Sequence, residues 1–125
     1  MYEPVDGWSR TQLLEHEGPE AEVRFHRAFP RLNPTPFDLH LLALDAALYD
    51  ADLVLVHEWT DHKVVERIGK HKAAGGRYVL LFHDTHHRSL TSTDDVARYD
   101  LQHYDGVLAV GEVIRERYVR NGWNR

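Results

Sequence analysis

Three short apolar runs constrain the fold of this chain more than any other feature of its sequence. They are Leu53–His57, Tyr78–Phe82 and Gly106–Val110, and each is apolar almost throughout, with no alternation of polar residues. Strands that are covered on both faces have this composition. Each gap between two runs leaves room for a helix, so the runs suit βαβ crossovers. The sequence therefore predicts an α/β fold, with helices flanking a Rossmann-like parallel sheet.

Capping and turn residues predict a helix after each of these strands. Thr60 or Asp61 would cap the first helix, and Gly75–Gly76 would end it. Thr91, with an acidic residue three positions on, resembles a capping box for a second helix that continues to His103. The apolar stripes expected on the three helices are formed by Val64, Val65 and Ile68, by Val96 and Tyr99, and by Val113, Ile114 and Tyr118.

The N-terminal third is less regular than the rest of the chain. Ser9 with Gln12 is a capping-box candidate for a short helix, and Pro19 suits the first turn of a second helix. The segment from Phe37 to Leu44 fits either a short edge strand or the start of a helix, and its periodicity does not decide between them.

The length and composition of the chain indicate one globular domain. The chain has 125 residues, of which 42% are hydrophobic and 28% charged, and a chain of this size is able to bury a core by itself. We therefore predict a single Rossmann-like domain over residues 1–125. Its first part, residues 1–36, is expected to be irregular and helical, and residues 37–125 are expected to form βα repeats.

The net charge and the amino-acid composition restrict the kinds of partner and binding site that we expect. The net charge of −5 argues against nucleic acid as the main partner, because no broad basic surface is available for a phosphate backbone. There is no cysteine, hence no disulfide framework and no thiolate metal site. No apolar run approaches the roughly 20 residues that span a bilayer, and the N-terminus lacks a signal-peptide pattern. The expected location is the cytoplasm.

Polar residues gather where the second apolar run ends. The run stops at Phe82 and is followed by His83, Asp84, His86, His87 and Arg88. In open α/β folds, ligands bind in the crevice beyond the carboxyl ends of parallel strands. The sequence therefore predicts a binding site at this edge of the sheet.

Three segments of the chain resemble the N-terminal half of a glycosyltransferase with two Rossmann-like domains, the GT-B architecture. They are Ala51–Trp59, Leu81–Arg88 and Tyr104–Glu112. The chain resembles above all bacterial enzymes of the spore-maturation CgeB-like group, and more widely glycosyltransferase family 4. The resemblance covers most of the chain and is most specific from Ala51 to Trp123.

The resemblance implies a function and a set of site residues. In such enzymes the N-terminal domain shapes the acceptor side of the cleft, and the C-terminal domain binds the nucleotide sugar. The chain is thus expected to act in hexosyl transfer from a nucleotide-sugar donor to an acceptor that the sequence does not identify. His83 would contact the transferred sugar and Asp84 would orient its imidazole, and no metal or cofactor is expected. The residues expected to bind substrate are Glu58, Trp59, His86, His87, Arg88, Gly111 and Glu112.

The chain also departs from the pattern of these enzymes. They begin with a strand, a glycine-containing loop and a helix ahead of the segment that starts here at Tyr2–Pro4, and they include a donor-binding half. We therefore expect a fragment of the enzyme, in which the sheet lacks its central strand and one strand edge is open to self-association. Catalysis by this chain alone is not expected.

Other interpretations of the same residues stay open. His83, His86 and His87 could bind zinc together with Glu58 or His57, as in a metal-dependent hydrolase that uses a metal-bound water. A noncatalytic interaction module that docks through its sheet edge is a further alternative. Arg88 could pair with Asp84, take an anionic ligand group or lie in solvent.

Overall fold

A computed structural model describes residues 1–86 and 88–123, with the backbone alone described at Ser89. The fold is mixed α/β, with small parallel sheets and flanking helices, which confirms the coarse prediction of fold class. The chain divides into two compact units, residues 1–42 and 43–125, and each is described by itself. Within the described residues, no helix is both long and apolar enough to cross a membrane.

The first unit contains two short strands and two helices. Strands β1 (Tyr2–Pro4) and β2 (Thr35–Phe37) pair in parallel, and helices α1 (Trp8–Glu17) and α2 (Glu20–Ala28) lie between them in the chain. Pro19 stands at the N-cap of α2, next to the predicted first turn.

The predicted capping box of α1 is wrong. Gly7 is the N-cap residue of this helix, and no side-chain cap hydrogen bond is formed there, so Ser9 lies inside the helix.

The second unit is built on a three-stranded parallel sheet in the order β3-β4-β5. The strands lie side by side in the order in which they occur in the chain, and a helical or irregular crossover connects each parallel pair. Its elements are α3 (Leu44–Ala47), β3 (Leu53–His57), α4 (His62–Ala73), β4 (Val79–Asp84), α5 (Arg88–Thr91), α6 (Thr93–Val96), β5 (Gly106–Ala109) and α7 (Glu112–Arg120).

Helix α4 follows the sequence prediction closely. The Asp61 side chain accepts a hydrogen bond from the backbone N–H of Lys63 at 2.8 Å, which satisfies one free donor of the first turn. Its predicted apolar stripe is buried, with Val65 fully inaccessible to solvent. Past the end of the helix, Gly75 adopts φ 124°, a conformation that other residues rarely adopt.

The segment between β4 and β5 differs from the sequence prediction. The continuous helix predicted from Thr91 to His103 is wrong: α5 and α6 are single turns, and Thr91 ends the first of them. The aromatic residues of this segment enter the core from irregular backbone instead. Tyr104 is 1% exposed, and its hydroxyl donates to the carbonyl of Val65 at 3.0 Å. Burial of these rings outweighs the local preference for a helix.

The two faces of the sheet are buried to different extents. Leu80 and Phe82 are fully buried on one face, whereas Leu53, Leu55 and Leu108 on the other face are 58%, 49% and 46% exposed. The prediction that the strands are covered on both faces is therefore wrong for the second face. Helix α7 buries Ile114 and Tyr118 as predicted, while Val113 is exposed.

Candidate functional site

The carboxyl ends of the three parallel strands place polar residues from distant parts of the chain at one edge. His57 is the register partner of His83, and Asp84 is the partner of Ala109. Backbone hydrogen bonds continue beyond the strands, from the N–H of Glu58 to the carbonyl of His83 at 3.0 Å. This edge is the predicted site, and we call it the strand-end cluster, which comprises residues 57–59, 84–86 and 88.

Successive side chains of β4 point to opposite faces of the sheet. The His83 ring lies on the open face, where it meets the His57 ring edge to face with centroids 5.5 Å apart. The side chain of Asp84 points to the same buried face as those of Leu80 and Phe82, and it is fully inaccessible to solvent. The strand geometry therefore separates the two residues that were predicted to act as a pair.

Asp84 is held by partners other than His83. Its Oδ2 accepts a hydrogen bond from the hydroxyl of Tyr118 at 2.9 Å, and its Oδ1 accepts one from the backbone N–H of His86 at 3.2 Å. Burial, and then the negative charge of Asp84, raise the pKa of Tyr118, so its hydroxyl stays protonated and donates. The expectation that Asp84 orients the His83 imidazole is therefore wrong, because Asp84 fixes the strand end to α7 instead.

Glu58 is the second buried carboxylate of the cluster, with 1% of its surface exposed. Its Oε1 accepts a hydrogen bond from the Thr85 hydroxyl at 3.1 Å, and its Oε2 lies 3.0 Å from Nδ1 of His57. Oε2 is buried and forms no hydrogen bond with the described residues. Glu58 is therefore a buried carboxylate with one oxygen that no hydrogen bond compensates.

Thr85 joins the imidazole and the carboxylate. Its Oγ1 lies 3.2 Å from Nε2 of His57 and 3.1 Å from Oε1 of Glu58. Thr85 was not among the predicted site residues. Its position directly after β4 was the available signal, because parallel strands bring their carboxyl ends together.

Trp59 is exposed to 62%, and it is held in place by Arg88. The guanidinium carbon of Arg88 lies 4.3 Å from the centroid of the indole, a cation–π contact. The ring of His86 meets the same indole at 5.5 Å between centroids. The exposed indole is thus a positioned surface at the strand ends.

Arg88 is itself fixed by two other contacts. It donates to the backbone carbonyl of Glu58 at 2.9 Å and forms an ion pair with Asp95. Its side chain is only 15% exposed. Of the three alternatives for Arg88, pairing with Asp84 is wrong and a solvated side chain is wrong, because Asp95 is the carboxylate partner.

Gly111 and Glu112 form the turn from β5 into α7. Gly111 has φ 93°, which favours glycine, and its N–H donates to the carbonyl of Ala109 at 2.9 Å. The side chain of Glu112 is 63% exposed and pairs with Arg115, whose hydrogen bond lowers the pKa of the carboxyl. Gly111 has no side chain and that of Glu112 is exposed, so this turn contributes no buried side chain to the cluster.

The described residues contain no group of three or more histidine, cysteine, aspartate or glutamate side chains placed to hold one metal ion. The predicted zinc ligands His57 and Glu58 are neighbours, while His86 lies against Trp59. His87, which was predicted to bind substrate, lies outside the described residues.

Comparison with known proteins identifies no family for this chain. No protein-family model, no curated protein and no solved structure matches it.

Proposed function

We propose that this chain is the acceptor-side domain of a glycosyltransferase of the GT-B type. It would work with a donor-binding domain, so that a sugar passes from a nucleotide-sugar donor to a hydroxyl of the acceptor. The observation that carries the proposal is the exposed indole of Trp59, which Arg88 holds at the carboxyl ends of a parallel sheet. Ligands of open α/β folds bind at this edge.

The surroundings of Trp59 suit a carbohydrate. A sugar ring has a C–H surface that packs on an aromatic face and a rim of hydroxyl groups that needs hydrogen-bond partners. The indole supplies a large, rigid apolar surface. His57, which is about half exposed, and the exposed Thr85 supply polar groups nearby.

The roles of the predicted site residues follow from their contacts. His83 faces the open side of the sheet, and we assign it a hydrogen bond to the sugar. Asp84 has both oxygens engaged by Tyr118 and His86, so it positions the strand end and does not touch the substrate. Arg88 positions Trp59 in the same indirect way.

Saccharide binding by this chain tests the proposal. We expect a mono- or oligosaccharide from a test panel to bind, as measured by isothermal titration calorimetry, which reads wild type and variants alike. Replacing Trp59 by alanine should weaken binding by about 10-fold, or about 1.4 kcal/mol, which is the scale of one aromatic contact. Trp8→Ala is the matched control, because Trp8 is 76% exposed in the other unit. Equal binding by both variants, or no binding of any saccharide, would contradict the proposal.

A second candidate function is a noncatalytic interaction module. It is favoured by the open face of the sheet, where Leu53, Leu55, Val79 and Leu108 are all about half exposed. Exposed apolar patches of this kind mark contact surfaces. The mass in solution over a dilution series tests whether the open face of the sheet is such a contact surface. If the wild type self-associates and Leu55→Thr is monomeric, the module is supported, and a wild-type monomer at every concentration argues against self-association.

A further inference from the structure

The hydrogen bonds around His57 form a chain with a single direction. The backbone N–H of Trp59 donates to Nδ1 of His57 at 3.4 Å. Nδ1 is therefore an acceptor, and the proton of the neutral imidazole lies on Nε2. Nε2 lies 3.2 Å from Oγ1 of Thr85, so its N–H donates to the threonine hydroxyl. The contact with Trp59 thus fixes the tautomer of His57.

The hydroxyl of Thr85 continues this chain to Glu58. It donates to Oε1 of Glu58 at 3.1 Å, and an ionised carboxylate only accepts. The opposite direction would need a proton on Nδ1 of His57, which would face Oε2 of Glu58 at 3.0 Å. Oε2 forms no hydrogen bond with the described residues, and the N–H of Trp59 already occupies Nδ1. The chain therefore runs from Trp59 through His57 and Thr85 to Glu58.

This direction leaves Thr85 with one free hydrogen-bonding position. A threonine hydroxyl has one proton and two lone pairs. Its proton is engaged by Glu58, and one lone pair accepts from His57. The second lone pair has no partner in the part of the chain that the structure describes. Because Thr85 is exposed, a ligand can reach this position and donate to it.

Donation from Thr85 to a ligand would be costly, because its proton serves a buried carboxylate. Glu58 is 1% exposed, and its Oε2 is already without a hydrogen bond to the described residues. A buried polar group that loses its partner costs more than an exposed hydrogen bond gains. The backbone of Glu58 is held as well, since its carbonyl accepts from Arg88 at 2.9 Å and from the hydroxyl of Tyr99. Thr85 therefore meets a ligand as an acceptor.

We propose that Thr85 determines the specificity of the proposed saccharide site by accepting a hydrogen bond from one hydroxyl of the sugar. This inference rests on the proposed function, in which the sugar ring packs on the indole of Trp59. Trp59 and Thr85 contact the two nitrogens of one imidazole, so they are neighbours at this edge of the sheet. The hydroxyl that reaches Thr85 must donate. A substituent that only accepts, such as fluorine, is selected against at that position.

Calorimetric titration of the whole chain tests this proposal, with the saccharide of the panel that binds best and its monodeoxy and monodeoxyfluoro analogues. At one ring position, both analogues should bind the wild type about 2- to 10-fold more weakly than the parent, the range of one neutral hydrogen bond. Thr85→Val should bind the parent more weakly by a similar factor and show no further loss with these two analogues. Thr85→Ser keeps the hydroxyl and should behave like the wild type. Thr11→Val is the matched control, because Thr11 is exposed on helix α1 of the other unit.

The outcomes separate this inference from the proposed function. Full binding of the deoxyfluoro analogue at each position where the deoxy analogue binds weakly would show that the site donates there, and would overturn the inference. If the parent binds but no loss depends on Thr85, the inference fails and the proposed function stands. If no saccharide binds, the proposed function fails and the inference fails with it.

The tautomer of His57 provides a second test, which needs neither a ligand nor a variant. At about pH 8 a histidine is ordinarily neutral, and NMR correlations between ring protons and ring nitrogens then distinguish the two tautomers. The account predicts a protonated Nε2 and an unprotonated Nδ1 in His57. A proton on Nδ1 would reverse the chain of hydrogen bonds and overturn the inference, whatever the saccharide titrations show.

Discussion

The hydrogen bond between Tyr118 and Asp84 gives the most informative stability prediction. It joins two groups that are 9% and 0% exposed, at 2.9 Å, and it connects α7 to the end of β4. Replacing Tyr118 by phenylalanine keeps the ring and removes only the donor. The buried carboxylate then loses one of the two hydrogen-bond partners that the described residues provide, the other being the N–H of His86.

The cost of Tyr118→Phe follows from the charge of the acceptor. Hydrogen bonds to charged groups contribute about 1.5–3 kcal/mol, so we expect the free energy of unfolding to fall by about 2 kcal/mol. For a unit of about 60–100 residues, such as residues 43–125, a loss of about 2 kcal/mol lowers Tm by about 8–16 °C. Chemical denaturation followed by circular dichroism, with a thermal scan on the same samples, measures both quantities.

Two controls isolate the hydroxyl of Tyr118. Tyr49→Phe removes the same group from a side chain that is 85% exposed and should change stability by less than about 0.5 kcal/mol. In an Asp84→Asn background, the Tyr118→Phe change should cost only about 0.5–1.5 kcal/mol, because the acceptor is then neutral. If Tyr118→Phe were as stable as Tyr49→Phe, the account of Asp84 as a buried, tethered carboxylate would be refuted.

The pH dependence of this pair has a definite sign. Because the pKa of Tyr118 is raised above its ordinary value of 10.0, the unfolded state releases the proton first as the pH rises. The stabilising contribution is therefore complete below pH 10 and is lost above it. The difference in stability between wild type and Tyr118→Phe should shrink above pH 10, and a constant difference would contradict this reasoning.

Further predictions concern packing, capping and acid stability. Gly76→Ala should destabilise the protein by about 1–3 kcal/mol, because a Cβ at this position would lie 2.8 Å from the Tyr78 ring. Gly69→Ala should be neutral or stabilising, because its Cβ would meet its nearest neighbour at 3.5 Å. Equal melting temperatures of the two variants would contradict this account of the packing. Asp61→Ala should cost about 1 kcal/mol in chemical denaturation through loss of the α4 cap, and an unchanged midpoint would argue against capping. Burial, and then nearby arginines, lower the pKa of His62 below 6.5, so the free energy of unfolding should fall as the pH drops below that value. His62→Gln should reduce this dependence of stability on pH. An unchanged dependence would show that other groups cause it.

The sequence predicted the regular part of the second unit well, for identifiable reasons. The apolar runs marked β3, β4 and β5, and the end signals at Asp61 and Gly75 marked α4. These are local signals of backbone preference and burial. They also located the polar edge of the sheet, because parallel strands bring their carboxyl ends together.

The parts that sequence reasoning missed depend on contacts between distant residues. Strand β1 is three residues long and exists through its pairing with Thr35–Phe37. The segment near Tyr104 is irregular because its aromatic rings enter the core, which overrides a local helical pattern.

The side-chain roles within the site were harder to predict than its position. Asp84 was expected to serve His83, yet the alternation of β4 places it in phase with the buried Phe82. Adjacent residues of a strand point to opposite faces, so the sequence alone could have predicted that His83 and Asp84 lie apart. Its actual partner, Tyr118, lies 34 residues further along the chain and could not be inferred from local pattern.

The most direct test of the central claim is a saccharide titration of the isotopically labelled chain, followed by two-dimensional NMR. The account predicts that a bound saccharide shifts the indole N–H of Trp59 and the backbone amides of Thr85 and His86. The same titration of Trp59→Ala should need about 10-fold more saccharide to shift those amides. Shifts confined to the first unit, or a spectrum unchanged by every saccharide, would contradict the claim that the strand-end cluster binds sugar.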